Sequence, residues 1–236
     1  MNIVAVAAHQ DDVELSCLGT LVKFKQRGDA NITFVAMTNG NKGSQYDPKT
    51  PYAEVAATRS AEATAMATAL GGHYIGLGYE DQYLRDTDEA RNRLADIIRA
   101  AKADLVIAPP PVDYASDHMT ASTIAFSAVQ FASIKSIFTD HEPLEQIPWF
   151  YYMDAITGLE SQPTHYIDIT GVFEHKCELL RYHKSQMKNM ERSGWDLVKY
   201  ARIMGAFRGI QCGVEYAEAF RPCLAFPQLR PGYPFP

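Results

Sequence analysis

The sequence predicts an α/β fold with a mostly parallel sheet and helices on both faces. Three observations carry this reading. Short apolar runs of strand character, such as 2–8 (NIVAVAA) and 31–38 (NITFVAMT), alternate with helix-like stretches. Polar clusters stand where two of the strand-like runs stop, which is where ligands bind in open α/β sheets. The 236 residues suffice for one sizeable domain, and they show no internal repeat, low-complexity linker or domain boundary, so residues 1–236 are read as a single domain.

Taken in order, residues 3–8 form a strand and Glu14 to Arg27 a helix stopped by Gly28. A second strand covers 31–38. The following loop, 39–51 (NGNKGSQYDPKTP), is 13 residues long, beyond the usual connection, and is expected to shape a pocket. Tyr52 to Leu70 is an Ala-rich helix closed by Gly71 and Gly72, and 73–77 is a short strand. Thr87 to Ala103 places Leu94, Ile97 and Ile98 on one helix face. Residues 104–108 (DLVIA) form a strand stopped by three prolines. A helix follows His118 to about Ile134. Residues 148–154 and 164–169 read as strands at a sheet edge, and 172–190 and 195–207 as helices. The tail from Pro222, rich in Pro and aromatics, reads as an extended arm on the core or on a neighbouring subunit.

Composition excludes several classes. A hydrophobic fraction of 47% is ordinary for a globular chain, and no stretch approaches the ~18 apolar residues of a membrane span. The start MNIVAVAAH has neither a basic leader nor a cleavage site, which points to the cytoplasm. A net charge of −6 without a long basic run argues against a nucleic-acid partner. The four cysteines contain no CxxC pair, so neither a zinc ribbon nor a disulfide scaffold fits; Cys17 reads as a buried thiol.

The chemistry gathers in two clusters. The first strand ends in His9, Gln10, Asp11 and Asp12. One Asp alone would read as a helix N-cap, but a cap accounts for neither His9 nor the second Asp. The strand at 104–108 leads to a second cluster from Asp113 to His118. In a parallel sheet both clusters share one rim, so residues about a hundred positions apart can converge. Two His and one Asp make an open three-ligand zinc site, and the remaining carboxylate can serve as general base toward a water. A dinucleotide reading fails: the first turn carries two acids and no GxGxxG.

With these residues in view, the chain resembles the LmbE-like (PIG-L) zinc N-deacetylases. His9 to Glu14, followed by Gly19, Thr20 and Leu21, is similar to their AHPDD-x-E signature, and Asp113 to His118 to their second motif. Arg59, Glu62, Leu70 and Gly71 resemble the R-x-x-E…LG helix, His183 to Gln186 the H-x-SQ segment, and Tyr216 to Phe220 the late YAE-x-F segment. The resemblance implies a Rossmann-like three-layer α/β/α sandwich. It implies zinc held by His9, Asp12 and His118, Asp11 as general base and Arg59 in substrate binding. The implied substrate is an N-acylated amino sugar or its conjugate, the products acetate and an amine, and the assembly a homo-oligomer, trimer or hexamer.

Two positions depart from the family pattern. Gln10 replaces a Pro and is expected to add a polar group near the substrate. Ala115 replaces a His that stabilises the oxyanion or protonates the leaving amine. Three explanations stand open. Another group supplies the function, from Tyr114, Asp117, His165 or His183. Alternatively, the protein binds metal and sugar but turns over slowly or not at all, or its substrate needs less help. With Ala115 present, a helix cap is the plain reading of Asp117.

Overall fold

A computed structural model describes residues 1–28, 30–44 and 49–236; part of the expected pocket loop, 45–48, lies outside the described residues. The strands are β1 (Asn2–Ala7), β2 (Asn31–Thr38), β3 (His73–Tyr79), β4 (Leu105–Ala108), β5 (Trp149–Met153), β6 (His165–Asp168) and β7 (Ala217–Pro222). They form one sheet in the order β3-β2-β1-β4-β5-β7-β6. The first five strands pair in parallel, while β7 pairs antiparallel with both β5 and β6. The helices are α1 (Asp12–Ser16), α2 (Leu18–Gln26), α3 (Tyr52–Ala69), α4 (Asp88–Ala100), α5 (Ser116–Phe131), α6 (Phe173–Leu180), α7 (Lys184–Glu191) and α8 (Leu197–Cys212).

Strand alternation creates the three layers. Ile3, Ala5 and Ala7 face a core shared with α2, α3, α6 and α8, and Val4, Val6 and Ala8 face a second core filled by α4 and α5. The expected three-layer α/β/α sandwich is present. The chain runs outward from β1 to β2 and β3, then returns to place β4 on the other side of β1. The β1/β4 boundary is therefore the topological switch point, and both polar clusters follow the strands that meet there. Among the described residues, no helix is long and apolar enough to cross a membrane.

Several expected boundaries shift for tertiary reasons. The helix expected over 14–27 is two helices broken at Cys17, whose φ is −146°. The break lets Glu218 of β7 serve the start of α2: its carboxylate accepts from Gly19 N at 2.8 Å, Thr20 N at 2.7 Å and Thr20 Oγ1 at 2.6 Å. A Cβ on Gly19 would lie 3.1 Å from Glu218 Oε1 and 3.0 Å from Ile169, so the missing side chain permits this approach. The helix expected over 172–190 also divides. α7 starts after His183 because Glu62 of α3 accepts from Ser185 N at 2.8 Å and Ser185 Oγ at 2.6 Å. α5 starts at Ser116, which puts His118 in its first turn rather than before it.

The sequence does not predict β7 as a strand, because AEAFRP lacks apolar alternation; partners on both sides make it one. Its insertion moves β5 into the sheet interior and leaves only β6 at that edge, a correction to the expected edge position of 148–154. The C-terminal tail packs on the core of its own chain. Phe235 is buried, with its ring centroid 4.6 Å from Phe220 and 4.8 Å from Tyr151.

Glu218 also accepts from the buried Lys176 at 2.7 Å, and that ammonium donates to Leu15 O at 2.7 Å. Glu218→Ala would leave a buried cation and two helix amides without their anion. The expected cost is about 3–5 kcal/mol, lowering Tm by roughly 6–20 °C. Urea unfolding of the two proteins checks this; a loss under ~1 kcal/mol would remove the cluster as an organising contact.

Candidate metal centre

Asp12 is the first residue of α1, yet it does not cap that helix. Its Oδ2 accepts from Ala8 N at 2.9 Å and His9 N at 2.8 Å, closing the end of β1. Asp11, at the N-cap position, makes no side-chain cap either. Both carboxylates are thus available for other work, as the paired-acid argument expects.

Three donors converge. His9 Nδ1 lies 3.2 Å from His118 Nε2 and 3.7 Å from Asp12 Oδ2, and His118 Nε2 lies 3.3 Å from Asp12 Oδ1. All three side chains are buried. The far nitrogen of each ring is held by carboxylates. His9 Nε2 is 3.0 Å from Asp81 Oδ1 and 3.4 Å from Asp117 Oδ2, and His118 Nδ1 is 3.1 Å from Asp113 Oδ1. Such partners place the ring proton on the far nitrogen and turn the near lone pairs toward a common point. Two imidazole nitrogens and one carboxylate oxygen, with outer carboxylates aligned behind them, fit a zinc ion that keeps an open coordination position.

His9 also forms a group with Asp81 and Asp117 whose donor atoms lie within 4.8 Å of one another. Those carboxylates are taken up by main-chain amides: Asp81 accepts from Lys42 N at 3.0 Å, and Asp117 from Gln82 N at 2.8 Å and Leu84 N at 3.3 Å. They act as the outer support of His9. This corrects the helix-cap reading of Asp117.

The electrostatics match a site built for a cation. Burial opposes charge on His118, but Asp12 and Asp113 overcome it and push its pKa up to about 10. His9 is likewise raised well above the ordinary imidazole value: burial opposes its charge, and hydrogen bonds to Asp117, Asp12 and Asp81 outweigh it. Asp12 is lowered well below the usual carboxylate range, because the two imidazoles outweigh its burial.

Asp11 stands beside the donors and pairs with Arg59, Oδ1 to Nη2 at 3.0 Å. Arg59 is itself buried and donates a second bond to Gly40 O at 3.1 Å. Gly40, at φ 64°, is required there, since a Cβ would fall 2.2 Å from Gln10 Oε1 and 2.7 Å from Arg59 Nη1. Gln10 is buried under this turn and donates to Thr38 O at 3.2 Å. It turns inward instead of presenting a polar group to the substrate, a second correction.

The donors open into a cleft of about 470 Å³ that Tyr114, Trp195 and Tyr200 also line. Tyr114 stands edge-on to His118, ring centroids 5.4 Å apart. The two histidines considered as replacements for the imidazole absent at Ala115 are elsewhere. His183 is fully buried against Glu14, 3.1 Å away, and His165 stacks on Tyr233 at the β6 edge. Neither lines the cleft. Sequence reasoning missed Asp81 as a site residue. Its signal was a carboxylate just after a strand, obscured because the expected strand stopped at residue 77 and the observed one runs to Tyr79.

Residues 4–129, more than half of the chain, match the PIG-L family, described as GlcNAc-PI de-N-acetylase. The chain is 27% identical to the diacetylchitobiose deacetylase of Thermococcus kodakarensis, over 93% of this chain and 82% of that protein. It is similar to the structure of N,N′-diacetylchitobiose deacetylase from Pyrococcus horikoshii bound to its inhibitor, with a TM-score of 0.82 and 26% identity, covering 94% of this chain and 83% of the other. The 4-carboxy-2-hydroxymuconate hydratase of Pseudomonas putida KT2440 has the same fold, with a TM-score of 0.83 at 22% identity, covering 99% and 100% of the two chains. With the first polar motif, the helix that carries Arg59 and the His118 motif all inside the matched segment, the chain belongs to the PIG-L family.

Proposed function

We propose that this protein is a zinc-dependent amide hydrolase that removes an N-acetyl or similar acyl group from an amino sugar or its conjugate. The observation that carries this reading is the convergence of His9, Asp12 and His118 beside a second carboxylate, Asp11, in an open cleft of a PIG-L chain. The relatives named as deacetylases act on diacetylchitobiose, which supports an acetylated amino sugar as the substrate.

His9, Asp12 and His118 would hold the zinc. When bound, zinc supplies Lewis acidity to a carbonyl and lowers the pKa of water. Asp11 takes the proton of the attacking water; its pairing with Arg59 fixes one carboxylate oxygen and leaves the other for that task. Arg59 acts by orienting Asp11 at the cleft wall. Asp117 keeps His9 in its donor orientation from behind. The methyl side chain of Ala115 offers no hydrogen bond, and the neighbouring Tyr114, edge-on to His118 at the cleft, would be the donor for the developing oxyanion.

Purified protein should hold about one zinc per chain, lost in His118→Ala, and release acetate from a panel of N-acetyl amino sugars. Zinc binding without acetate release from any of them would sink the hydrolase reading and leave a binding protein. Asp11→Asn should keep the zinc and lower kcat roughly 10²–10⁴-fold. Tyr114→Phe should lower it roughly 10²–10³-fold with little change in KM; an unaltered kcat would remove Tyr114 as the donor.

The raised pKa of His118 sets a pH dependence for the metal-free protein. In the unfolded chain His118 titrates at about 6.5, whereas in the folded chain it does so at about 10. Its stabilisation is complete below pH 6.5 and is lost as pH rises toward 10, at up to about 1.4 kcal/mol per pH unit. Chelator-treated protein should unfold at lower urea at pH 9.5 than at pH 6.5. Zinc must displace these protons, so its apparent affinity should rise over the same window. A metal affinity independent of pH between 6.5 and 9.5 would contradict the arrangement.

A further inference from the structure

Residues 80–83 form a tight turn closed by Tyr83 N donating to Glu80 O at 3.1 Å. Gln82 occupies its third position with φ 68°, in the left-handed region. A turn with positive φ at that position ordinarily takes Gly or Asn, because a Cβ is strained there. The backbone conformation itself is well explained. Asp117 accepts from Gln82 N at 2.8 Å and Leu84 N at 3.3 Å, and Asp81 accepts from Lys42 N at 3.0 Å, so the carboxylates behind His9 also fix this turn. Glycine would meet all of these main-chain requirements without strain, so the retained Gln side chain needs its own reason.

That reason lies in where the side chain points. Gln82 is exposed and lines the same cleft as the zinc donors. Its one tie to the protein is a long bond from Nε2 to Asp81 Oδ1, 3.3 Å, and among the described residues its Oε1 has no partner. Among the described residues, the two other non-glycine residues with positive φ differ. Lys102 follows the C-cap of α4, where the left-handed conformation is common, and Glu160 does not line this cleft. The cleft's other walls include two half-exposed aromatic residues, Tyr114 and Trp195, whose ring faces suit the C–H face of a sugar, while its hydroxyls and acetamido group need polar partners. A carboxamide both donates and accepts, as a sugar hydroxyl or an acetamido group requires.

We propose that Gln82 is a substrate-binding residue, retained in a strained turn so that its carboxamide hydrogen-bonds the hydroxyl or acetamido groups of the bound amino sugar. This rests on the amino-sugar reading above. Strain held at a functional site in this way makes function and stability move in opposite directions on mutation.

The test uses full-length, zinc-loaded wild type, Gln82→Gly and Gln82→Asn, with N-acetylglucosamine as the probe. Four quantities are measured: Tm, zinc affinity, sugar Kd and kcat/KM for acetate release. Gln82→Gly should keep or raise Tm and leave zinc affinity unchanged, while weakening sugar binding and kcat/KM about tenfold, the loss expected for one or two hydrogen bonds. Gln82→Asn, also tolerated in this conformation, should weaken binding because its carboxamide is one methylene shorter. Unchanged Kd and kcat/KM in Gln82→Gly would overturn the proposal. So would a zinc affinity that falls in step with activity, since Gln82 would then act through Asp81 and His9. If wild type binds the sugar but releases no acetate, the hydrolase reading fails and the Kd comparison still decides Gln82. If wild type binds no sugar, the proposal falls.

Discussion

The Asp12 carboxylate accepts two main-chain amides from the end of β1 while facing both imidazoles, so strand, helix and both polar motifs are tied through one buried anion. A buried carboxylate is costly unless paired and hydrogen-bonded. Here the amides satisfy one side and the histidines the other, and that arrangement requires β1 and β4 to be neighbours with their ends in register. The switch point of the sheet supplies this geometry. The outer carboxylates Asp81, Asp113 and Asp117 extend the same logic, each holding a ring nitrogen from the side away from Asp12.

The second half of the chain lines one side of the cleft and also braces the first half. β7 delivers Glu218 to the start of α2, Lys176 of α6 neutralises it, and the same ammonium reaches back to Leu15 in α1. Glu62 of α3 performs the matching task for α7. The helix that carries Arg59 is thereby tied to α7, and Arg59 in turn holds Asp11. The late motifs thus make buried contacts between elements: Glu218 with Lys176, His183 with Glu14, and Ser185 with Glu62.

The fold alone does not decide the reaction, since a hydratase shares it at a TM-score of 0.83. The decision rests on the side chains at the rim. His9, Asp12 and His118 bring two imidazole nitrogens and a carboxylate oxygen around one point, and Asp11 stands beside them, held in place by a buried guanidinium. Ala115 departs from the family pattern, and Tyr114 and Gln82 line the same cleft as His118.

The amino-acid sequence by itself determined the alternating strands and helices, the apolar strands buried on both sides, and the two polar clusters that carry His9, Asp11, Asp12 and His118. These follow from local periodicity and from residue chemistry at strand ends, which need no knowledge of distant partners. Tertiary structure alone decided the break at Cys17, the strand at 217–222, the inward turn of Gln10, the contacts of Asp81 and Asp117 behind His9, and the left-handed turn at Gln82. Each of these depends on a group remote in the chain: Glu218 at the start of α2, β5 and β6 beside β7, Arg59 and Gly40 over Gln10, and Asp117 beneath the turn at 80–83. Pairing energies of that kind outweigh local propensity, and they become readable only once the sheet has brought its strand ends together.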